Sequence, residues 1–527
     1  MIHNIQLRVD PRTAVTPTML RDQVASALGV KADSIDDIIV KKRSIDARQR
    51  RVMVNLTVDA YVGEKAPQSP LLRPVVYGDV TDAPQAIIVG AGPAGLFAAL
   101  RLIELGVRPV ILERGKDVDA RRVDMAQIAR HDVVDPDSNY CFGEGGAGAF
   151  SDGKLYTRSK KRGNVEKILQ IFCQHGASTD ILVDAHPHIG TDRLPVVIKA
   201  MRDTIVRCGG EIHFSSRVTG LLLGRDGDAL KVEGVETVGG DTYRGPVILA
   251  TGHSARDTYR MLVESGVAIE PKGIAIGVRL EHPQQLIDSI QYHNPQGRGK
   301  YLPAAEYSML TRVDDRAVYS FCMCPGGFVI PSASGPRQQA VNGMSPASRG
   351  TRWANSGMVV EILPEDVTQY SGPLKIMQLQ EEIEETFYHE SGDTQNAPAQ
   401  RMTDFVAGRP STSLPATSYA PGIHAARLDQ LLPAPIASRL RRGFEEFGRK
   451  SRGFLTDKAI VVGCETRTSA PVRLVRDDVT LRSLNVENLF PAGEGAGYAG
   501  GIVSAAVDGE RVADALYQQV FAPAAQY

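Results

Sequence analysis

Residues 86–115, AIIVGAGPAGLFAALRLIELGVRPVILERG, decide the fold of this chain. The apolar run 86–89 predicts a buried parallel strand, and residues 110–112 predict a second strand of the same kind. The residues between them have the periodicity of an amphipathic helix that ends near Gly106. Glycines at the G-x-G-x-x-G spacing occupy the turn from the first strand into the helix: Gly90, Gly92 and Gly95. This order of elements predicts a βαβ unit that binds a dinucleotide.

Each of these residues meets a requirement of a bound pyrophosphate. Gly90 permits the tight turn, Gly92 lacks the Cβ that would block the pyrophosphate, and Gly95 lets the helix pack close to the strand. Glu113, at the end of the second strand, can accept hydrogen bonds from ribose hydroxyls. The N-terminus of the helix supplies free N–H groups and a favourable dipole. The predicted cofactor contacts also include four neighbours, Ala91, Pro93, Ala94 and Arg114.

Two alternatives stay open for this unit. The same βαβ turn can exist without a ligand, and the glycine fingerprint alone does not separate FAD from NAD.

The C-terminal stretch 488–516, NLFPAGEGAGYAGGIVSAAVDGERVADAL, favours FAD. It holds a second G-x-G-x-x-G, but too few residues follow its helix to complete another βαβ unit. The stretch resembles the C-terminal FAD motif of glutathione-reductase-like flavoproteins, with Glu494 where those proteins usually carry Asp. In that motif the acidic residue binds a ribityl hydroxyl and the helix N-terminus faces the flavin pyrimidine. The resemblance implies cofactor contacts at Gly493, Glu494, Gly500, Gly501 and Ile502.

Two further stretches carry predicted cofactor contacts. The strand in VILATG (247–252) is followed by Ala-Thr-Gly. This resembles the glutathione-reductase-like flavoproteins, which carry these three residues where the chain passes near the cofactor. The loop YCFGEGGAGAFSDGKL (140–155) offers successive backbone N–H groups that can bind an anion, and its alternative is a flexible solvent loop. The contacts predicted from these stretches and from the following β-rich region are Gly145, Gly146, Ala147, Lys154, Val218, Thr251 and Gly252.

Composition limits the class of protein. A chain of 527 residues is too long for one core and predicts two or three domains. The net charge of −1 gives no global argument for nucleic acid or a membrane surface. No apolar stretch reaches about 18 residues, and the N-terminus lacks the pattern of a signal peptide. Six cysteines in so long a chain favour a reducing cytoplasm over a disulfide framework.

The predicted fold class is α/β, with a Rossmann-like FAD-binding domain made of a parallel sheet and a β-meander. We assign this domain to residues 84–264 and 459–527, with an inserted α+β substrate domain at 265–458. A small N-terminal domain (1–70) has the pattern β-α-β-β, in which Thr16 and Pro17 begin the helix. Residues 63–74, rich in proline and polar side chains, are predicted to be a linker.

Several segments resemble one family along essentially the whole chain. They are YCFGEGGAGAFSDGKL, HPHIGTDRL (186–194), GHSARDTYRML (252–262), VYSFCMCPGGFVI (318–330), VNGMSPASRGTRWANSG (341–357) and the PAGEGAGYAGGI ending. They look like the uncharacterised bacterial FAD-dependent dehydrogenases, NAD(FAD)-utilising dehydrogenase-like flavoproteins with a glutathione-reductase-type fold. The resemblance implies one noncovalent FAD and an oxidoreductase reaction, and it supplies no substrate.

Candidates for chemistry are few, because the flavin itself carries the hydride. Cys322 and Cys324 form a C-x-C pair whose spacing is not that of a redox dithiol; buried core cysteines or a thiol near the flavin are the alternatives. His188 is a candidate proton donor or substrate contact, with a structural histidine as the alternative, and no metal site is predicted. Arg467 and Arg349 are candidates to clamp a carboxylate, unless they form ordinary ion pairs.

The expected partners are a small-molecule substrate and an external electron donor or acceptor. A basic run at Lys41, Lys42, Arg43, Arg48, Arg50 and Arg51 raises RNA modification as an alternative, but it lacks interleaved aromatic residues. A third possibility is a structural or sensory FAD with a partner-binding N-terminal domain. Membrane association is not expected, and a nucleic-acid partner is less expected than a small-molecule substrate.

Overall fold

A computed structural model describes residues 1–157, 163–227 and 229–522. The strands are β1 (Ile2–Val9), β2 (Ile35–Asp46), β3 (Met53–Val62), β4 (Gln85–Val89), β5 (Arg108–Leu112), β6 (Glu211–His213), β7 (Val218–Asp226), β8 (Ala229–Thr237), β9 (Thr242–Arg244), β10 (Val247–Leu249), β11 (Ile269–Pro271), β12 (Ile274–Pro283), β13 (Leu310–Val313), β14 (Arg316–Cys324), β15 (Phe328–Pro331), β16 (Val341–Met344), β17 (Trp353–Ile362), β18 (Ala397–Arg401), β19 (Ile423–Ala425), β20 (Ile460–Glu465), β21 (Val472–Leu474), β22 (Val486–Glu487) and β23 (Leu489–Pro491).

The α-helices are α1 (Pro11–Val15), α2 (Pro17–Leu28), α3 (Pro93–Glu104), α4 (Val118–His131), α5 (Val165–Gln174), α6 (Leu194–Arg207), α7 (Arg256–Glu264), α8 (Gln284–Gln291), α9 (Lys375–Glu390), α10 (Met402–Ala407), α11 (Leu428–Leu431), α12 (Ala434–Lys450) and α13 (Ile502–Leu516).

The central layer is a parallel sheet in the order β23-β10-β4-β5-β6. Its strands are short and apolar, and β4 and β5 are buried on both faces, as parallel strands covered on both sides must be. Helices α3 and α13 pack on one face, while β7, β8 and β9 form an antiparallel meander on the other. The mixed α/β fold class predicted from the sequence is confirmed.

A second sheet, the inserted sheet, has the order β13-β14-β17-β12-β20-β18-β19. Its strand pairs are antiparallel except for the β18-β19 pair. Helices α9 and α12 contribute to the apolar core on it. Strand β20 pairs with β12 and β18, although the sequence assigned residues from 459 onward to the FAD-binding domain. A fully buried apolar strand has the same pattern in either sheet, so the sequence does not reveal which one it joins.

The N-terminal unit is an antiparallel sheet in the order β1-β3-β2, with α1 and α2 between its first two strands. Helix α2 begins after Thr16, as predicted, and is followed by Gly29 as its C-cap; the Thr16 hydroxyl makes no cap hydrogen bond and donates to the carbonyl of Arg12. The predicted linker is tied to α5: the Gln170 and Gln174 side chains hydrogen-bond to backbone groups of residues 71–75.

Candidate functional site

A cavity of about 710 Å³ lies between the parallel sheet and the inserted sheet. Its volume is within the range of small-molecule and cofactor sites. The nucleotide side is formed by the turns after β4 and β5, the loop 140–155, and the approach to α13. The opposite wall comes from β14, β15 and β16 of the inserted segment. Distant parts of the chain therefore meet at one concave site.

Two helices direct uncapped N-termini at this cavity. Gly92 occupies the N-cap of α3 and Gly501 occupies that of α13, and neither position has a side-chain cap. Both glycines line the cavity. The free N–H groups and the dipoles of both helices favour negative charge there, as a pyrophosphate or a reduced flavin would supply.

The glycines of the first motif differ in what surrounds them. A Cβ on Gly95 would lie 1.9 Å from the carbonyl oxygen of Gly90, so the helix-to-strand contact needs glycine. A Cβ on Gly92 would meet no atom closer than the Cα of Gly146, at 3.9 Å. The space in front of Gly92 is therefore free of protein atoms, as expected if a ligand fills it.

Glu113 is buried at the end of β5 and lines the cavity. Its Oε2 accepts from the N–H of Ala91 at 2.8 Å, and its Oε1 accepts from Gly115 and Gly143 at 2.9 and 3.0 Å. The carboxylate thus joins the glycine-rich turn to the loop 140–155. The predicted contact to a ribose hydroxyl remains a prediction: Oε2, which accepts one hydrogen bond, keeps a free lone pair, whereas Oε1 already accepts two.

Arg114 lines the cavity beside the ring of Phe142, with its guanidinium carbon 4.0 Å from the ring centroid. It donates to Asp137 and Asp257. These ion pairs fix the guanidinium plane at this end of the cavity.

Arg121, which the sequence did not single out, shapes the glycine-rich loop. It is fully buried, and its guanidinium donates to the backbone carbonyls of residues 139, 140, 143, 144 and 146. Burial lowers the pKa of Arg121 to about 10, so it remains charged at neutral pH. The loop wraps this cation with its carbonyls, which fixes the segment that carries Gly146 and Ala147. Its position inside an ordinary amphipathic helix gives no local signal of this role.

Glu494 lies in the cavity wall just before α13. Its carboxylate has no hydrogen-bond or ion-pair partner among the described residues. Burial raises the pKa of Glu494 to about 7, and the positive charge of Lys272 opposes that rise. A buried carboxyl group that lacks a protein partner fits the predicted contact to a polar group of the cofactor.

Most of the predicted cofactor contacts line the cavity: Gly90, Gly92, Pro93, Ala94, Glu113, Arg114, Gly146, Ala147, Lys154, Val218, Thr251, Gly252, Glu494, Gly500, Gly501 and Ile502. Ala91, Gly95, Gly145 and Gly493 lie behind its surface. The N–H of Gly493 donates to Asp508, and that of Gly145 donates to the carbonyl of Ala91. These residues support the wall through packing and backbone hydrogen bonds.

The two cysteines of the C-x-C pair have different environments. Cys322 lines the cavity at a bulge of β14, where its φ of 46° is unusual for a residue other than glycine. Cys324 is completely buried, with its Sγ 3.4 Å from Arg279. Burial raises the pKa of both thiols, that of Cys324 to about 12, and both cysteines are unpaired. The geometry is that of one core thiol and one cavity-facing thiol.

The two histidines near the cofactor motifs, His188 and His253, have different positions relative to the cavity. His188 lies outside the cavity wall, where its Nε2 is 3.1 Å from the carbonyl oxygen of Ala347 and burial lowers its pKa. His253 does line the cavity. Burial and the nearby Arg467 and Arg256 lower the pKa of His253 to about 4, so its imidazole is neutral at neutral pH.

Both candidate clamp arginines are held in ion pairs. Arg467 lines the cavity and donates to both carboxylate oxygens of Glu384, which Arg256 also contacts. Arg349 lies behind the wall and pairs with Asp152 and Glu306. A substrate carboxylate would have to displace these partners to form a bidentate contact.

Other surfaces bear on the alternatives. In the N-terminal basic run, Lys41, Arg43 and Arg48 form ion pairs with carboxylates of this chain. Among the described residues, no group of three or more metal-ligating side chains is placed to hold an ion. Over the same residues, no helix has the length and apolar character needed to cross a membrane.

Comparisons with known proteins agree with an FAD site. A family model described as FAD-dependent protein, C-terminal domain-like, matches residues 273–468, and an FAD binding domain matches residues 83–136. Residues 1–61 match a domain of unknown function. The FAD binding domain match covers the first glycine motif and Glu113, and it confirms FAD as the cofactor.

Relatives extend the comparison to the whole chain. An uncharacterized protein from Clostridium beijerinckii is 39% identical over 540 residues, which cover 99% of each chain. The protein FixC from Escherichia coli is 29% identical over 40% of this chain and 47% of its own. A solved flavoprotein/dehydrogenase from Cytophaga hutchinsonii superposes with a TM-score of 0.33 at 12% identity, covering 83% of this chain and 78% of its own. This chain belongs to the same family as the Clostridium beijerinckii protein, and it is an FAD-dependent protein.

Proposed function

We propose that this protein is an FAD-dependent oxidoreductase in which one noncovalent FAD exchanges a hydride or electrons with a small-molecule substrate. The observation that carries this proposal is the cavity of about 710 Å³ shared by the nucleotide motifs and the inserted sheet. When bound, FAD supplies the redox chemistry. The residues of the chain have to bind it, orient a substrate beside it and exclude water.

The second glycine motif serves the same cavity as the first. Helix α13 packs so closely on α3 that a Cβ on Gly509 would lie 2.1 Å from the carbonyl oxygen of Ala94. Both helix N-termini therefore support a single-cofactor layout, with no separate nicotinamide site on the second motif. In this layout electrons enter and leave through one flavin, from the substrate or from an external donor or acceptor.

The wall from the inserted segment, formed by β14 and by the separate β15-β16 pair, suits a substrate. Phe321 and Ile330 give it apolar surface, while Cys322, Ser332 and Asn342 add polar atoms. Such a mixed wall matches the usual lining of small-molecule sites. We further propose that the family is that of the uncharacterised bacterial FAD-dependent dehydrogenases, with a glutathione-reductase-type fold. The six unpaired cysteines favour a reducing compartment such as the cytoplasm.

The test starts from the purified protein and its visible absorption spectrum. We expect the flavin bands, about one FAD per chain, and release of the FAD by denaturation without proteolysis. Under anaerobic conditions, we expect photoreduction to bleach the flavin and mixing with NADH or NADPH not to reduce it through a saturable site. A protein that neither retains nor rebinds FAD would overturn the proposal. Rapid saturable reduction by a nicotinamide would overturn the single-cofactor layout.

A further inference from the structure

The cavity wall contains an ammonium group that forms no salt bridge with the described residues. Lys154 lines the cavity at the end of the glycine-rich loop. Its backbone forms a β-bridge with His188, and its Nζ donates to the carbonyl oxygen of Met323 on β14. Met323 adjoins Cys322, so the ammonium lies beside the wall that comes from the inserted sheet.

Two acids near Lys154, Asp152 and Glu306, form ion pairs with Arg349, and the positive charge of Lys154 also acts on Glu306. Arg349 is almost completely buried and donates to both oxygens of Asp152, at 3.1 and 2.6 Å, and also to Glu306. Lys154 forms no ion pair in the described part of the chain. Because an ammonium has three N–H donors and one of them bonds to Met323, two donors have no protein acceptor there.

Two other ion clusters near this wall carry an excess of positive charge, whereas the cluster of Arg349 with Asp152 and Glu306 carries one negative charge that Lys154 balances. Arg256 and Arg467 share the single carboxylate of Glu384. Arg279 faces Glu465, whose pKa burial raises to about 7 in spite of that arginine. A negative group in the cavity is therefore favoured by the field of these two arginine clusters and by the free N–H donors of Lys154.

A second polar atom on this wall also lacks a partner. Ser332 is 3% exposed and lines the cavity, and no described residue hydrogen-bonds to its hydroxyl. Buried hydroxyl groups are rarely left without a partner in folded proteins. An oxygen-rich ligand would satisfy this hydroxyl, while Phe321 and Ile330 would pack against an apolar part of the same ligand.

We propose that the wall around Lys154 is a subsite for a carboxylate, so that the substrate of this oxidoreductase is a carboxylic acid with an apolar portion. This inference rests on the proposed function. It places the Lys154 ammonium on the substrate side of the cavity, where it holds the carboxylate through charge-assisted hydrogen bonds.

The test titrates the FAD-loaded protein with benzoate and with benzamide, a neutral molecule of similar shape, and follows perturbation of the flavin spectrum. We expect benzoate to bind and benzamide to bind at least tenfold more weakly. Lys154→Met should weaken benzoate binding about 10- to 100-fold at unchanged FAD content, because it removes hydrogen bonds to a charged group. Lys154→Arg, which keeps the charge, should retain more of the affinity.

Lys42→Met is the matched control, since Lys42 is exposed on β2 and its loss changes the net charge equally. It should bind benzoate like the wild type. Unchanged benzoate binding by Lys154→Met would overturn the inference, and so would loss of FAD from that variant, which would assign Lys154 to the cofactor. A wild type that holds reducible FAD but responds to neither probe refutes the subsite alone. A wild type without FAD refutes the proposed function itself.

Discussion

The sharpest consequence of the site geometry concerns two glycines three residues apart, Gly92 and Gly95. An alanine at 92 would place its Cβ in open space, 3.9 Å from the nearest protein atom, and the backbone there has φ −76°, which alanine adopts freely. An alanine at 95 would place its Cβ 1.9 Å from the carbonyl oxygen of Gly90. We therefore expect Gly92→Ala to impair FAD binding without disturbing the fold, and Gly95→Ala to disturb the fold itself.

The expected magnitude for Gly92→Ala follows from the bonds that a pyrophosphate would lose. A methyl group at this position keeps the phosphate from the N–H groups of α3, and a hydrogen bond to a charged group contributes about 1.5–3 kcal/mol. The loss corresponds to about 10- to 100-fold weaker FAD binding. The apo-protein loses only the difference between glycine and alanine at an N-cap, about 1 kcal/mol or less.

The assay combines FAD titration of the apo-protein, by quenching of flavin fluorescence, with urea unfolding of the same sample. Gly78→Ala is the control, because Gly78 is exposed and a Cβ there would meet no atom within 4 Å. Wild-type FAD affinity in Gly92→Ala would refute the assignment of this space to the pyrophosphate. A Gly92→Ala apo-protein as unstable as Gly95→Ala would refute the argument from the open space.

Three further outcomes are expected. Arg121→Met should destabilise the apo-protein by more than about 3 kcal/mol in urea unfolding, because buried carbonyls lose their donor. Arg122→Met, at the exposed neighbouring position, should have little effect on the free energy of unfolding. Equal effects of the two substitutions would contradict the role of Arg121. Burial raises the pKa of Glu494 from 4.5 to about 7, so its contribution to apo stability is complete below about pH 4.5 and is lost as the pH rises through 7. Glu494→Gln should remove that part of the pH dependence, and identical stability profiles would show that Glu494 is not buried as described. Glu384→Gln should lower the free energy of unfolding by about 3–5 kcal/mol, because it leaves Arg256 and Arg467 without their shared carboxylate. A decrease below about 1 kcal/mol would contradict the stabilising role of this ion cluster.

Much of the nucleotide side could be predicted because its requirements are local. The turn that contains Gly90, the close approach at Gly95 and the placement of Glu113 at a strand end depend on residues within about 30 positions of one another. Periods of 2 and 3.6 residues then identify the strands and helices on either side. The assignment of the second glycine motif to FAD rested on the resemblance of residues 488–516 to the C-terminal FAD motif of glutathione-reductase-like flavoproteins.

The inserted segment was harder to interpret because its contacts are distant in sequence. Strand β20 is buried along its whole length and apolar up to Glu465, so nothing in its pattern distinguishes the inserted sheet from the parallel one. Arg121 lies among other charged residues of its helix, such as Asp119, Arg122 and Asp124, so nothing local distinguishes it as the residue that the loop surrounds. The ion pair between Arg467 and Glu384, which are 83 residues apart, likewise has no signal in the local sequence.

The sequence by itself determined the α/β class, the FAD motifs and the uncapped helix N-termini, because steric and dipole requirements act over a few neighbouring residues. Tertiary structure alone decided that Cys322 faces the cavity, that His188 does not, and that Arg349 forms ion pairs with both Asp152 and Glu306. Those outcomes depend on strand pairing and on competition among buried charges, which involve residues far apart in the chain.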